Sequence, residues 1–218
     1  MDRESLMETR PAKAMPIELV IFDMDQVLCR YDRPLRLRRL AALSEHTPEE
    51  IFAAIWQSGF EASSEAGAID AEAYLRGFGE RMGYPLSRSQ WVAARRVSMT
   101  PFSNMLALAA DLKQRVPVAV LTNNGLLTKE TIALLFPELP PLFGSKLMFS
   151  AEFGARKPGR EVYQRMLARL GVAPQAVLMV DDDPDNVAGA EAAGLHGHVF
   201  DGIAGLKKRL ATFGIGMT

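Results

Sequence analysis

Two aspartates close an apolar run near the start of the chain, where Ile-Glu-Leu-Val-Ile-Phe leads into Asp23-Met24-Asp25. Side chains two apart on an extended backbone point the same way, so both carboxylates should project together from a strand's carboxyl end. Carboxylates so placed can bind a cation, exchange protons or attack an electrophile, and a solvated pair doing none of these is the plain alternative. Three more polar groups lie at or soon after apolar runs: Thr122-Asn123-Asn124-Gly125, Arg156-Lys157-Pro158 and Asp181-Asp182-Asp183. Singly they read as a turn, a surface lysine and a solvated acidic cluster. In an open parallel sheet the carboxyl ends of the strands gather on one rim, so together the four groups can form one pocket.

The elements that must position them are legible as a pattern. Near-continuous aliphatic runs at 17–21, 118–121, 146–149, 176–180 and 197–200 suit strands buried on both faces. Helical spacing predicts a helix over 161–170, with Val162, Met166 and Leu170 four apart. A second is predicted over 184–193, with Asp183 as N-cap, Pro184 in the first turn and Gly194 beyond its end. Strand and helix alternate, the grammar of a doubly wound parallel α/β sheet. From about 34 to 100 no strand is evident. Thr47-Pro48-Glu49-Glu50 and Ser87-Arg88-Ser89-Gln90 read as capping boxes there, and Asp70 as the cap of a helix carrying Tyr74, Phe78 and Met82.

In order, FDMDQVL, LTNNG, RKP and VDDDPDNVAGAEAAG resemble the four motifs of haloacid dehalogenase (HAD) superfamily hydrolases with a helical cap between the first two; the resemblance spans about 17–200. It implies a HAD-like Rossmannoid core at 16–33 and 101–218, a helical cap at 34–100 and a loose tail at 1–15. It implies a phosphatase that hydrolyses a small phosphate monoester, such as a sugar phosphate or a phosphoglycolate-like compound, through an aspartyl phosphate. By the same resemblance Asp23 is the nucleophile and Asp25 the general acid and base. Lys157 balances charge on Asp23 and the phosphoryl oxygens, and Thr122 with the backbone N–H of Asn123 holds the phosphate. An alkoxide leaving group needs a proton and a halide does not, so Asp25 favours a phosphatase over a dehalogenase.

A cation follows from charge. Asp23, Asp25 and Asp182 around a dianionic substrate repel, by roughly 4 kcal/mol for two unit charges 4 Å apart at an effective dielectric of 20. Oxygen ligands and a phosphate partner point to Mg²⁺. The resemblance implies that Asp23, the main-chain carbonyl of Asp25 and Asp182 bind it, with Asp181 and Asn186 in support, and that Asp183 caps the following helix. Two positions depart from the family pattern: Gln26 stands where glycine is common, and Val27 where many relatives have threonine.

The remaining features are bland or exclude classes. With 25 basic and 26 acidic residues there is no global field toward nucleic acid or a membrane surface, and no apolar run is long enough to span a bilayer. One cysteine, Cys29, cannot form an internal disulfide framework and reads as a small buried thiol; a cytoplasmic setting is expected. His46, His196 and His198 lack metal-ligand spacing, and the His-Gly-His piece suits an edge strand. Trp56 and Trp91 are expected in the core or the cap interface. Arg30, Arg33 and Arg36 read as a solvated basic face, with a hold on an anionic substrate as the other reading. A phosphotransferase or sugar phosphate mutase, a receiver-like domain and a silent binding protein remain as alternatives.

Overall fold

The computed structural model describes residues 16–217, so the expected tail at 1–15 lies outside the described residues. In chain order, β1 (Leu19–Phe22) and β2 (Cys29–Tyr31) precede α1 (Arg33–Ala41), α2 (Pro48–Phe52), α3 (Phe60–Glu65), α4 (Ala71–Arg81) and α5 (Arg88–Arg96). Next come β3 (Met99–Pro101), α6 (Ser103–Leu112), β4 (Val118–Thr122), α7 (Leu126–Leu135), α8 (Leu139–Phe143) and β5 (Leu147–Phe149). The chain finishes through α9 (Arg160–Leu170), β6 (Val177–Asp181), α10 (Pro184–Ala192), β7 (His196–Val199) and α11 (Ile203–Thr212). Among the described residues no helix is long and apolar enough to cross a membrane.

Five strands form one parallel sheet in the order β5-β4-β1-β6-β7, with Val20 of β1 opposite Val118 of β4 and Leu178 of β6. Alternate residues of each strand face opposite sides. Val20, Phe22, Val118, Val120, Leu178 and Val180 join a core with Met105 and Leu108 of α6, Ile132 of α7 and Leu206 of α11. Leu19, Ile21, Ala119, Leu121, Val177 and Met179 pack on the other face against Val162 and Met166 of α9 and Ala190 of α10. Helices therefore cover both faces, as the unbroken apolar runs require. The His-Gly-His strand lies at the sheet edge, as expected.

Five helices fill the stretch between β2 and β3, and three begin where the sequence indicates. Thr47 and Glu50 exchange side-chain and backbone bonds at the start of α2, Ser87 and Gln90 do so for α5, and Asp70 accepts from Ala73 N at 2.7 Å to cap α4. A π-helical stretch, Ala53–Gln57, follows α2. The reading of no strand over 34–100 fails at its end: Met99–Pro101 pairs antiparallel with Cys29–Tyr31, so the chain enters and leaves the helical segment through a two-stranded ribbon. Three-residue strands carry too little alternation to stand out in a sequence. The segment shares apolar contacts with the sheet's larger core, through Ile51, Ile55, Phe78 and Trp91 among others.

Candidate active site

The three central strands β4, β1 and β6 end side by side, which brings Thr122, Asp23 and Asp181 to one rim. Asp23 extends the ladder one step past β1, its N–H donating to Val180 O at 2.8 Å. Lys157, which alone reads as a surface residue, is buried, and its ammonium donates to Asp23 Oδ1 at 2.8 Å and Asp181 Oδ2 at 2.6 Å. Asn123 clamps that lysine in place: its Oδ1 accepts from Lys157 N and its Nδ2 donates to Lys157 O, both at 2.9 Å. Behind this loop α10 packs so closely that a Cβ at Gly189 would lie 2.2 Å from Pro158 O. Burial raises the Asp23 carboxyl above its ordinary range; the Lys157 ammonium opposes that and Asp181 adds to it. The two carboxylates in turn hold Lys157 charged against its burial.

Asp181 is fully buried and has protein partners on both oxygens. Oδ1 accepts from Asp183 N and Asn186 Nδ2, each at 3.0 Å, and Oδ2 takes Lys157. Asp182 is half-buried and faces the cavity, its carboxyl raised by burial and by Asp181. Asp183 caps α10 as expected, accepting from Asp185 N at 2.9 Å. Asp23, Asp181 and Asp182 can each offer an oxygen within 4.8 Å of the others, an all-oxygen donor set of the kind a hard divalent cation prefers. The chemistry of the residues present thus fits Mg²⁺.

Beyond Asp23 the chain turns sharply. Leu28 N and Cys29 N both donate to Met24 O, and Gln26 sits at φ +64, a left-handed conformation costing an L-residue roughly 1–2 kcal/mol. Glycine would adopt it freely; Gln26 is fixed instead by Nε2 donating to Tyr31 O at 3.0 Å. Val27 is buried in the core, and Cys29 is a buried thiol whose Sγ lies 3.6 Å from Asp25 Oδ1, with burial pushing its ionisation far up. Thr122 Oγ1 accepts from Asn124 Nδ2 at 2.7 Å.

Asp23, Asp25, Asn123, Asn124 and Asp182 floor a cavity of about 220 Å³ whose walls come from the helical segment and β2: Tyr31, Arg33, Trp56, Glu61, Glu65 and Arg95. The segment rests directly on the loops of the rim. Ser150 Oγ donates to Glu65 O at 2.7 Å, and a Cβ at Gly125 would lie 2.1 Å from Ser64 Oγ. The expected solvated arginine face is incorrect for Arg36. It is fully buried among the rings of Trp56, Phe78 and Trp91 with Nη1 on Tyr31 Oη at 3.1 Å, because α1 turns this side inward. Arg33 stacks near Phe52 and Trp56 at the cavity wall, and Arg30 is exposed. Trp91 is core as expected, and Trp56, on the π-helical stretch, packs against the same core while lining the cavity.

Arg95, Glu61 and Glu65 are wall residues outside the motifs, and Asn124 lines the cavity from within LTNNG with no role assigned to it there. A signal existed for Arg95: it stands four residues after Trp91, on the face of α5 that must be buried. Glu61 and Glu65 are likewise four apart on α3. Glu61 accepts from the Tyr74 hydroxyl, and Glu65 pairs with Arg156 Nε at 2.8 Å while burial and Glu61 push its carboxyl up to about 7.

The chain is 28% identical over 173 residues to a phosphoserine phosphatase of Thermus thermophilus, covering 79% of this chain but only 61% of that protein's length. It is 27% identical over 191 residues to a sesquiterpene phosphatase of Aspergillus oryzae, covering 84% and 90% of the two chains. A HAD family enzyme from Bacteroides thetaiotaomicron, solved with magnesium and inorganic phosphate, has the same fold: TM-score 0.73 at 21% identity, covering 84% of this chain and 93% of that one. The model of the haloacid dehalogenase-like hydrolases matches residues 17–194, so the chain belongs to that family.

Proposed function

We propose that this hydrolase is a Mg²⁺-dependent phosphatase acting on a small phosphate monoester through an aspartyl phosphate on Asp23. The observation that carries the reading is the setting of Asp23: a buried carboxylate at the cavity floor, one oxygen held by the Lys157 ammonium, with Asp25 two residues on. In the first step an Asp23 oxygen bonds to phosphorus as the ester P–O bond breaks, and Asp25 gives its proton to the departing alkoxide. In the second, Asp25 takes a proton from the water that attacks the aspartyl phosphate, releasing phosphate and restoring Asp23. Lys157 balances the charge gathered on Asp23 and the phosphoryl oxygens. Thr122 and the Asn123 N–H hold those oxygens.

Asp23, Asp182 and the Asp25 carbonyl would hold the metal, with Asp181 and Asn186 behind them. When bound, Mg²⁺ supplies positive charge to a cavity walled by six carboxylates, those of Asp23, Asp25, Glu61, Glu65, Asp182 and Asp183, against the guanidiniums of Arg33 and Arg95. The magnesium and phosphate bound by the Bacteroides enzyme, and the phosphatase names of both relatives, support the reading. The test is phosphate release from para-nitrophenyl phosphate and a panel of phosphorylated metabolites, with Mg²⁺ and with a chelator. Turnover is expected only with metal and is expected to vanish in Asp23→Asn; full activity in that variant would remove the nucleophile from the scheme.

A further inference from the structure

Arg95 reaches the site from α5, outside the sheet, with 2% of its surface exposed. Its guanidinium lies against the rings of Tyr31 and Trp91, at 5.3 and 5.9 Å from their centroids. Nη2 donates to Asn124 Oδ1 at 2.7 Å and sits 3.6 Å from Asp25 Oδ2, while Nε has no partner among the described residues. An apolar side chain of similar volume would fill this place without leaving a buried donor unmatched, so packing alone does not account for an arginine.

Donor and acceptor polarity does. A guanidinium only donates, so Asn124 must turn its carbonyl oxygen toward Arg95. That turns the Asn124 NH₂ toward Thr122, and its Nδ2 donates to Thr122 Oγ1 at 2.7 Å. A hydroxyl that accepts this bond has its own proton left to give elsewhere. We propose that Arg95 is a positioning residue: acting through Asn124, it makes the Thr122 hydroxyl a donor to the substrate's phosphate, and so ties the phosphate site to the docking of the helical segment. Removing the guanidinium frees Asn124 to rotate its amide. Its oxygen then accepts from Thr122, and the hydroxyl proton is lost to the substrate. This rests on the reading of the cavity as a phosphate site.

The experiment is calorimetric titration of inorganic phosphate, in the presence of Mg²⁺, into the full chain and its Arg95→Met, Arg95→Lys, Thr122→Val and Arg95→Met/Thr122→Val variants. Loss of one hydrogen bond to a charged group predicts roughly tenfold or more weaker phosphate binding for Arg95→Met and for Thr122→Val. The loss in Arg95→Met/Thr122→Val should fall well short of the product of the two single losses, because both changes remove the same proton and only the guanidinium's charge is lost in addition. Arg95→Lys, also a pure donor, should recover most of the affinity. Phosphate binding unchanged in Arg95→Met, or losses that multiply in the double variant, overturns the proposal. If Arg95→Met is too unstable to titrate, Asn124→Leu tests the chain at its middle: it leaves no amide oxygen to take the Thr122 proton, so it must bind phosphate clearly better than Thr122→Val, and a loss as large as that of Thr122→Val overturns the proposal. The readout is binding, so a wild-type chain that binds phosphate but hydrolyses no ester would refute the proposed reaction and leave this inference standing.

Discussion

Replacing Lys157 by methionine keeps the apolar stem and removes one charge, which isolates the electrostatics of the site floor. The ammonium lies 2.8 Å from Asp23 and 2.6 Å from Asp181, so each contact is worth about 6 kcal/mol of gross attraction at an effective dielectric of 20. Most of that is cancelled by the cost of taking three charges out of water, and breaking such a buried group by deleting one member leaves a net loss of about 3–5 kcal/mol. The loss should depend on pH in a definite sense. Burial and Asp181 already raise the folded Asp23 carboxyl above its unfolded range, and without Lys157 nothing opposes them. The folded variant then binds protons that the unfolded chain does not, so its stability rises as pH falls toward the unfolded carboxylate range, and its deficit against the wild type shrinks. Urea unfolding of both proteins without added metal at about pH 8 and about pH 5.5, with equal m-values, measures this. Lys157→Met/Asp181→Asn should regain about 2 kcal/mol over Lys157→Met, since one of the two buried negative charges left without the ammonium is gone. A deficit below about 1 kcal/mol at both pH values, or a double variant no more stable than the single one, would refute the account.

Gly189→Ala should cost about 2 kcal/mol and lower phosphatase turnover as well, because the new methyl meets the backbone of Pro158 and pushes on the loop that carries Lys157; thermal unfolding and phosphate release check the two effects. Glu65→Gln should change the pH dependence of stability. The folded Glu65 carboxyl lies at about 7, above its ordinary 4.5, so the wild type loses stability as pH rises through that window. The glutamine does not ionise, so its Tm relative to wild type should climb between about pH 5 and pH 8, by the equivalent of about 1–2 kcal/mol after discounting for partial exposure and the Arg156 pair. A difference that stays flat over that range refutes the assignment.

The parallel sheet was readable because strands buried on both faces leave unbroken apolar runs, and the rim because each run stops at a polar group. The caps at Thr47, Asp70 and Ser87 were readable for a local reason, since a side chain three residues from its backbone partner leaves a short-range pattern. The helical segment's share of the cavity was not. Arg95 meets Asn124 across 29 positions and Ser150 meets the Glu65 carbonyl across 85, contacts that exist only after two independent elements dock. Arg36 misled for the same reason: a run of arginines on a short helix looks solvated until aromatic side chains from three other places close over one of them. Asn123 held a subtler lesson, since its side chain serves the Lys157 backbone and leaves only its main chain for an anion.

The ribbon formed by β2 and β3 has a consequence for how such a chain can vary. Cys29 and Pro101 face each other as partners, so an excursion of some seventy residues departs and returns at a single point of the framework. Closing a loop across hydrogen-bonded neighbours makes its entropic cost depend only weakly on its length. The excursion can lengthen, shorten or be swapped for another while the five-stranded frame and the register of its rim stay as they are, so the walls it lends the cavity are free to diverge above a constant sheet.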